Sequence, residues 1–142
     1  VPVGPMQRQA IVAAPAYFAR HGVPREPADL VGHDCIRYRR SNGRLMPLEF
    51  TRDGRDFEVE VDGRLVVNDS EIGLDLLRRG VGMAQVFEWQ VAADLAAGRL
   101  RRVLDDWMAP FPGWHVYYPA REHLPPKLRV FVDYLREALP AA

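Results

Sequence analysis

The sequence predicts an α/β fold with a mixed, partly parallel sheet, and three observations lead to this prediction. Short apolar runs that suit strands alternate with segments whose apolar residues recur every three or four positions, as on one face of a helix. Glycines and prolines separate most of these segments. The 142 residues and the 48% hydrophobic content suit one globular domain with a substantial core. Strands alternating with helices are typical of sheets that contain parallel pairs.

The first forty residues predict a strand, a helix and a second strand. The run 7–13 (QRQAIVA) is short and apolar and suits a strand. Pro15 suits the first turn of a helix, where a missing N–H costs nothing, and Gly22 suits its end because glycine tolerates positive φ. A short helical turn is expected at 28–30. Residues 35–39 (CIRYR) then predict the next strand.

The pattern between residues 35 and 67 predicts a β-meander. Apolar and acidic residues alternate over 57–61 (FEVEV), which is the period-two signature of a half-buried strand. The runs 45–51 and 65–67 are expected to be the strands that come before and after it in the meander. The dipeptides Asn42-Gly43 and Asp53-Gly54 predict tight hairpin turns, because they accept the positive φ angles that such turns require.

A helix after residue 67 has clear start and stop signals. Asn68 is expected to cap it, with Glu71 bonding back to the cap three residues later, and Gly80 is expected to end it. The remaining elements are predicted at 81–87 (strand), 88–97 (helix), 100–104 and 114–118 (strands), and from Pro125 onward (a helix with one apolar face).

Charge, cysteine content and residue spacing argue against several functional classes. Lys+Arg and Asp+Glu are both 19, whereas a free-standing nucleic-acid binder normally carries a basic excess. The single cysteine, Cys35, cannot form an internal disulfide, so a cytoplasmic location is expected. No apolar run is long enough to cross a bilayer. The histidines lack metal-ligand spacing and no nucleophile has a catalytic context, so no metal, cofactor or enzymatic activity is expected.

Two polar clusters are candidates for ligand contact. Asn68, Asp69 and Ser70 place backbone N–H groups and short side chains at a helix N-terminus, which suits an anionic or carbonyl-bearing ligand. Simple capping is the favoured alternative, because such residues commonly cap helices. Arg37 and Arg39 lie on one side of a predicted strand and could grip a carboxylate or phosphate, although arginine runs more often form a solvated face.

Three stretches resemble the effector-binding domain of LysR-type transcription regulators, and they follow one another in the family's order. They are residues 14–39 (APAYFARHGVPREPADLVGHDCIRYR), 63–104 (GRLVVNDSEIGLDLLRRGVGMAQVFEWQVAADLAAGRLRRVL) and 118–137 (YYPAREHLPPKLRVFVDYLRE). Together they cover nearly the whole chain. The resemblance implies a periplasmic-binding-protein-like fold, in which two α/β subdomains flank a cleft.

The resemblance also implies that the chain is a single, partial effector-binding domain over 1–142. Residues 14–114 would form the second subdomain, a mixed sheet flanked by helices. Residues 1–13 and 115–142 would supply the crossover strands and the C-terminal helix of the first subdomain. The helix-turn-helix domain and the opening part of the first subdomain would be absent from this chain.

For function, the resemblance implies sensing of a small organic effector, anionic or aromatic, that binds between the subdomains. Effector binding would change how a separate helix-turn-helix domain binds DNA, in a homodimer or higher homo-oligomer. Two alternatives share the architecture: a small cleft enzyme using His115 or Cys35, and a solute-binding module for transport. By position, the effector-binding residues would be Arg37, Arg39, Asn68, Asp69, Ser70, Gln85 and Phe87.

Overall fold

Seven strands and four α-helices form the part of the chain that this computed structural model describes, residues 1–119 and 124–139. In chain order they are β1 (Gln9–Ala13), α1 (Pro15–His21), β2 (Ile36–Tyr38), β3 (Leu48–Arg52), β4 (Arg55–Val59), β5 (Leu65–Val67), α2 (Ser70–Arg78), β6 (Ala84–Phe87), α3 (Glu88–Ala96), β7 (Arg101–Val103) and α4 (Pro126–Ala138). Short 3-10 helices lie at Pro27–Gly32 and Asp105–Trp107. The chain divides into two compact units: Gln9–Ala109, and Val1–Arg8 together with Pro110–Ala142.

Strand β1 is the centre of the Gln9–Ala109 unit. It lies between β6 and β7 in an antiparallel three-stranded sheet, with Ile11 opposite Gln85 on β6 and Val103 on β7. Residues 10–13 are all buried. Because successive side chains of a strand point to opposite faces, Ala10 and Val12 face one hydrophobic cluster and residues 11 and 13 face another. The sheet is therefore covered on both sides.

The first cluster, which contains Ile11 and Ala13, packs α1 and the 3-10 helix at 27–32 against one face of β1. Its α1 members are Tyr17 and Phe18, and β3 contributes Leu48 and Phe50. Helix α1 begins at Pro15 and ends before a glycine with φ of 79°, as predicted. The second cluster covers the opposite face with residues of α2 and α3, namely Leu74, Leu77 and Val91, together with Leu100.

The predicted meander is wrong, because β2 pairs in parallel with β5 and not with β3. Cys35 also forms a parallel bridge with Met83, at the entrance to β6. Close backbone approach accounts for this pairing: a side chain at Gly63 would collide with the carbonyl oxygen of Cys35. The glycine lets the chain return beside β2, which gives the unit the parallel pairing predicted for the fold as a whole.

Strands β3 and β4 form a separate hairpin. Asp53 and Gly54 join them with φ angles of 52° and 74°, which confirms the predicted tight turn. The predicted half-buried strand over 57–61 is only partly observed. Strand β4 ends at Val59, and Phe57 stays 36% exposed while its ring stacks on Phe50 at 5.6 Å between centroids.

Helix α2 begins one residue later than predicted, and its cap is Asp69 in place of Asn68. The Asp69 carboxylate accepts hydrogen bonds from the backbone N–H groups of Glu71 (2.9 Å) and Ile72 (3.1 Å). Asn68 and Asp69 are both good capping types, and the extended backbone at Asp69 selects it as the cap. Helix α2 ends next to Gly80, which has a φ of 74°, as expected.

A buried carboxylate joins helices α2 and α3. Asp94 of α3 is 3% exposed and accepts two hydrogen bonds from the guanidinium of Arg78, at 3.0 and 3.1 Å. Arg99 donates a third at 2.8 Å. The hydrogen bonds from Arg78 and then Arg99 lower the pKa of Asp94 below its ordinary value, because both favour the ionised carboxylate.

In the unit formed by Val1–Arg8 and Pro110–Ala142, the strand predicted at 114–118 is absent. His115 makes an isolated antiparallel bridge with Pro2, and its neighbours Trp114 and Val116 share backbone hydrogen bonds with Val3 and Val1 without forming a strand. The final helix is confirmed as α4. Val132 on its apolar face is buried, whereas Phe131 is 52% exposed.

Replacing Asp94 with Asn should lower the free energy of unfolding at pH 7 by about 1–2 kcal/mol, because the charge-assisted hydrogen bonds are lost while Arg78 and Arg99, 39% and 55% exposed, stay solvated. The lowered pKa of Asp94 means that its stabilisation is present above the ordinary aspartate value and is lost as the pH falls through the folded value. The difference between the two proteins should therefore shrink below about pH 4. Urea denaturation across this pH range measures it.

Asp75→Asn is the matched control for that experiment. Asp75 pairs with Arg79 at 2.9 Å on the exposed face of α2, with 57% of its own side chain exposed. Exposed pairs of this kind contribute about 0.5 kcal/mol. Equal losses in the two variants would show that the buried carboxylate has no special role.

Asp69→Ala should destabilise the chain by about 1 kcal/mol, because two N–H groups at the start of α2 lose their acceptor. Asn68→Ala should change stability by less than about 0.5 kcal/mol, because Asn68 is exposed and is not the cap. Thermal or chemical denaturation of both variants measures the contrast, and the reverse order would contradict the assignment of the cap.

Candidate functional site

The Gln9–Ala109 unit contains a cavity of about 240 Å³ beside β2, β6 and the start of α2. Most of the residues that line it are apolar, and a few are polar. They are Gln9, Ile36, Arg37, Tyr38, Met46, Pro47, Leu48, Val67, Ser70, Gly73, Leu74, Leu77, Ala84, Gln85, Val86, Phe87 and Gln90. An apolar cavity with few polar groups is the usual form of a small-molecule site.

Four of the seven residues predicted to bind an effector line this cavity: Arg37, Ser70, Gln85 and Phe87. The other three, Arg39, Asn68 and Asp69, do not. Arg39 lies just beyond β2, in a bridge with Leu45, and its guanidinium donates to the carbonyl of Gly43 at 2.7 Å. That arginine therefore stabilises a surface turn.

The start of α2 is not the open anion site that the sequence allowed. The carboxylate of Asp69 already accepts from the N–H groups of Glu71 and Ile72, so a negative charge occupies the positive end of the helix dipole. The capping alternative therefore describes residues 68–70 better. Ser70, the first residue of the helix, still lines the cavity.

Arg37 is the only charged residue among those that line the cavity. Its side chain is 10% exposed. The Nη2 atom lies 3.6 Å from a carboxylate oxygen of Glu60 and 3.4 Å from the carbonyl oxygen of Met46, and both contacts are long. The buried Nε has no hydrogen-bond partner among the described residues. A buried donor without a partner costs about 1–3 kcal/mol.

Gln85 has a structural role at the wall of the cavity. Its amide donates to the carbonyl oxygen of Glu49 at 2.6 Å and accepts from the N–H of the same residue at 2.9 Å. The Gln85 side chain thus bonds both backbone groups of Glu49, as a neighbouring strand would, and links β3 to β6. This pair of bonds positions Leu48 and the residues before it along one side of the cavity.

Several residues that line the cavity were not predicted from the sequence, and only some of them have a sequence feature that could have indicated a site. Gly73 lies inside α2, where glycine costs about 1 kcal/mol relative to alanine, and such a cost points to a packing or functional reason. Tyr38 follows a predicted site residue on the same strand. Met46 and Pro47 carried no signal, because their place depends on how the chain folds back beside β2.

Neither of the residues considered for catalysis, Cys35 and His115, lines this cavity, although Cys35 lines a second cavity of about 270 Å³ together with Asp34 and Arg64. Cys35 is 2% exposed, and burial raises the pKa of its thiol to about 11, so it stays protonated at neutral pH. His33 accepts or donates a hydrogen bond through Nδ1 to the hydroxyl of Tyr17 at 2.8 Å. Burial, and then the charge of His21, lower the pKa of His33. His115 contacts the carbonyl of Gly113 at 2.8 Å.

Residues 1–119 and 124–139 contain no group of three or more His, Cys, Asp or Glu side chains arranged to hold a metal ion. None of their helices combines the length and the apolar character that a bilayer crossing requires.

Comparison with known families identifies the chain. A model described as the LysR substrate binding domain matches residues 2–140. The chain therefore belongs to the LysR substrate-binding-domain family. The resemblance found in the three sequence stretches is confirmed by this match.

Curated relatives carry regulator names. A putative transcriptional regulator of Pseudomonas aeruginosa is 45% identical over 99% of this chain and 46% of its own length. The uncharacterized HTH-type transcriptional regulator YcaN of Escherichia coli is 35% identical over 96% of this chain and 44% of its own length. The chain thus spans about half the length of these relatives. Both of these relatives are named as transcriptional regulators and neither as an enzyme.

Solved structures confirm the predicted periplasmic-binding-protein-like α/β fold. The regulatory domain of an AphB variant from Vibrio vulnificus superposes with a TM-score of 0.72 at 24% identity, covering 95% of this chain and 66% of that one. The regulatory domain of CrgA, a LysR-type transcriptional regulator from Neisseria meningitidis, gives 0.66 at 28% identity with the same coverage.

Proposed function

We propose that this chain senses a small organic effector within a bacterial transcription regulator and that the effector contacts the cavity of the Gln9–Ala109 unit. The observation that supports the proposal most directly is the cavity itself. Its lining is mainly apolar, and Arg37, Ser70 and Phe87 are among the residues that line it. Apolar walls supply most of the affinity for such ligands, and the few polar groups set orientation and specificity.

In the whole regulator, effector binding in the cleft between subdomains would alter DNA binding by a separate helix-turn-helix domain. A ligand that prefers one of two existing conformations shifts their populations, and the shift is limited by the difference between its affinities for the two. A homodimer or higher homo-oligomer in the cytoplasm, with its DNA-binding domains paired, would convert that shift into a change in operator affinity.

The rival function is a solute-binding module for transport, which shares the architecture. The named regulators among the relatives favour regulation. The E. coli protein YagP, described as a putative LysR family substrate binding domain-containing protein, is 32% identical over 74% of this chain and 78% of its own length. Its description names the same family as the one that matches this chain.

A thermal-shift screen of organic acids and aromatic metabolites tests the proposal. A ligand that binds only the folded chain stabilises it by mass action, by about 2.7 kcal/mol at a free concentration a hundred times its dissociation constant. We expect a selective rise in melting temperature with one chemical class. A flat response across both classes would count against effector sensing by this unit.

Two substitutions in α2 separate binding from folding. Gly73→Ala should leave the melting temperature unchanged or raise it, since alanine favours a helix by about 1 kcal/mol over glycine. The added methyl would lie 3.4 Å from Val67, another lining residue, and would narrow the cavity. Affinity for any compound found in the screen should therefore fall.

Ser70→Ala completes the test because Ser70 lines the cavity but is not the cap of α2. It should weaken binding of the same compound more than it lowers stability. Titration calorimetry and thermal denaturation supply the two readouts. Parallel losses of stability and affinity in both variants would point to a structural role and contradict the proposal.

A further inference from the structure

We propose that Tyr17 and His33 form an acid-sensitive latch between helix α1 and the segment that leads into β2, and that protonation of His33 opens it. The latch lies in the Gln9–Ala109 unit but does not line the cavity. Its effect on the cavity rests on the proposed function, whereas the latch itself does not. The experiment below therefore measures the latch without any effector.

The hydroxyl of Tyr17 is the centre of the latch. Tyr17 is completely buried, and its hydroxyl oxygen accepts a hydrogen bond from the backbone N–H of Asp34 at 3.0 Å. The same oxygen lies 2.8 Å from Nδ1 of His33. Because a buried hydroxyl hydrogen also needs an acceptor, and Nδ1 is the one that the described residues provide, the hydroxyl donates to His33. With the latch closed, His33 is therefore neutral and carries its proton on Nε2.

Protonation of His33 removes this acceptor. An imidazolium ion has an N–H donor at both ring nitrogens and no acceptor. Its Nδ1–H then points at the Tyr17 hydroxyl, which already accepts from Asp34, and the hydroxyl hydrogen is left in the core without a partner. A buried polar group without a partner is unfavourable, so the protonated pair is more stable apart than in contact.

The surroundings on α1 and β2 also disfavour a charge on His33. Burial, and then the charge of His21, lower the pKa of His33. The ring of His21 lies one helical turn after Tyr17 and stacks on its ring at 4.6 Å between centroids. Arg20, next to His21, donates to a backbone carbonyl just after α2 at 2.6 Å. The thiol of Cys35 is protonated at neutral pH and adds no negative charge.

Two carboxylates act in the opposite direction, because a negative charge favours protonation of His33. They belong to Asp29 on the 3-10 helix and to Asp34, and their effects are smaller than those of burial and His21. Each carboxylate has other partners. Asp29 accepts from the backbone N–H groups of residues 25–26, and Asp34 lies 3.4 Å from the guanidinium of Arg64. The net result is a histidine that the folded chain keeps neutral.

A lowered pKa makes the latch weaker in acid. The open form binds a proton at the ordinary histidine pKa of about 6.5, and the closed form binds it only at a lower pH. The stabilisation is therefore complete above about pH 6.5 and is lost as the pH falls through the pKa of the closed form. Below that pH, the equilibrium constant for opening has risen about ten-fold for each unit between the two pKa values.

The backbone of Asp34 connects the latch to two strands that line the cavity. Its N–H is held by the Tyr17 hydroxyl, and its carbonyl accepts from the N–H of Met83 at 2.8 Å. The carbonyl of Met83 in turn accepts from the N–H of Ile36, the first residue of β2, at 2.7 Å. Opening the latch therefore removes one support from the entrances of both β2 and β6. Residues of these two strands line the cavity.

The first test is an NMR titration of the histidine rings of this chain between about pH 4.5 and pH 8, the range in which histidines change charge. His33→Asn assigns the His33 signal by its loss. We expect His33 to titrate below the ordinary value of about 6.5. Tyr17→Phe should raise its pKa towards that value, because no hydroxyl then requires Nδ1 as an acceptor. His115→Asn, which removes an exposed histidine of the other unit, should leave the pKa of His33 unchanged.

The second test is hydrogen exchange of the Asp34 and Met83 backbone amides, which reports local opening once the intrinsic effect of pH on exchange has been removed. In the unaltered chain, the protection of both amides should fall as the pH is lowered through the pKa of His33. His33→Asn places an amide oxygen where Nδ1 accepts the hydroxyl hydrogen and cannot be protonated in this range. This variant should keep its protection over the whole range.

Three results would overturn the latch: a His33 pKa at or above the ordinary value, a His33 pKa that Tyr17→Phe does not change, or an equal loss of protection in His33→Asn and the unaltered chain. If Tyr17→Phe does not fold, the unaltered chain and His33→Asn still decide the question, because that comparison keeps the tyrosine. Each of these results leaves effector sensing untouched, so the latch and the proposed function can fail separately.

Discussion

The structure of the Gln9–Ala109 unit depends on one constraint, which is that both faces of strand β1 are buried. Residues 10–13 supply alternate side chains to two hydrophobic clusters, so every neighbouring element must cover one face or the other. Helix α1 and the hairpin residues cover the first face, and helices α2 and α3 cover the second. The edge strands β6 and β7 then complete the sheet. The cavity lies beside this arrangement because β6 and α2 are both fixed to the same central strand.

Local signals explain why most elements could be predicted from sequence. Pro15, Gly22 and Gly80 mark helix ends through backbone preferences that need no partner, and Asp53-Gly54 specifies its turn in the same way. Strand pairing is different, because it depends on contacts between distant parts of the chain. The close approach of Gly63 to Cys35, which brings β5 beside β2, has no local signature, and a meander was therefore the natural but incorrect expectation.

The candidate site shows the same division between local and non-local information. Arg37 was predicted because its type and strand position suit an anion, and it lines the cavity. Arg39 has the same type and the same predicted face, but the strand ends before it, so alternation no longer sets its direction. At the start of α2, residue types left the cap undecided between Asn68 and Asp69. Only the backbone angles of the folded chain decide which side chain bonds the free N–H groups.

The way in which the β3–β4 hairpin is attached determines which changes of its length the fold can tolerate. The backbone of β3 pairs with β4 alone, and the link to β6 runs through the side-chain amide of Gln85 to the backbone of Glu49. An insertion or deletion near the hairpin tip therefore changes no register in the central sheet. The lining residues Met46, Pro47 and Leu48 lie at the other end of the hairpin, so a longer or shorter tip would leave the wall of the cavity in place as well.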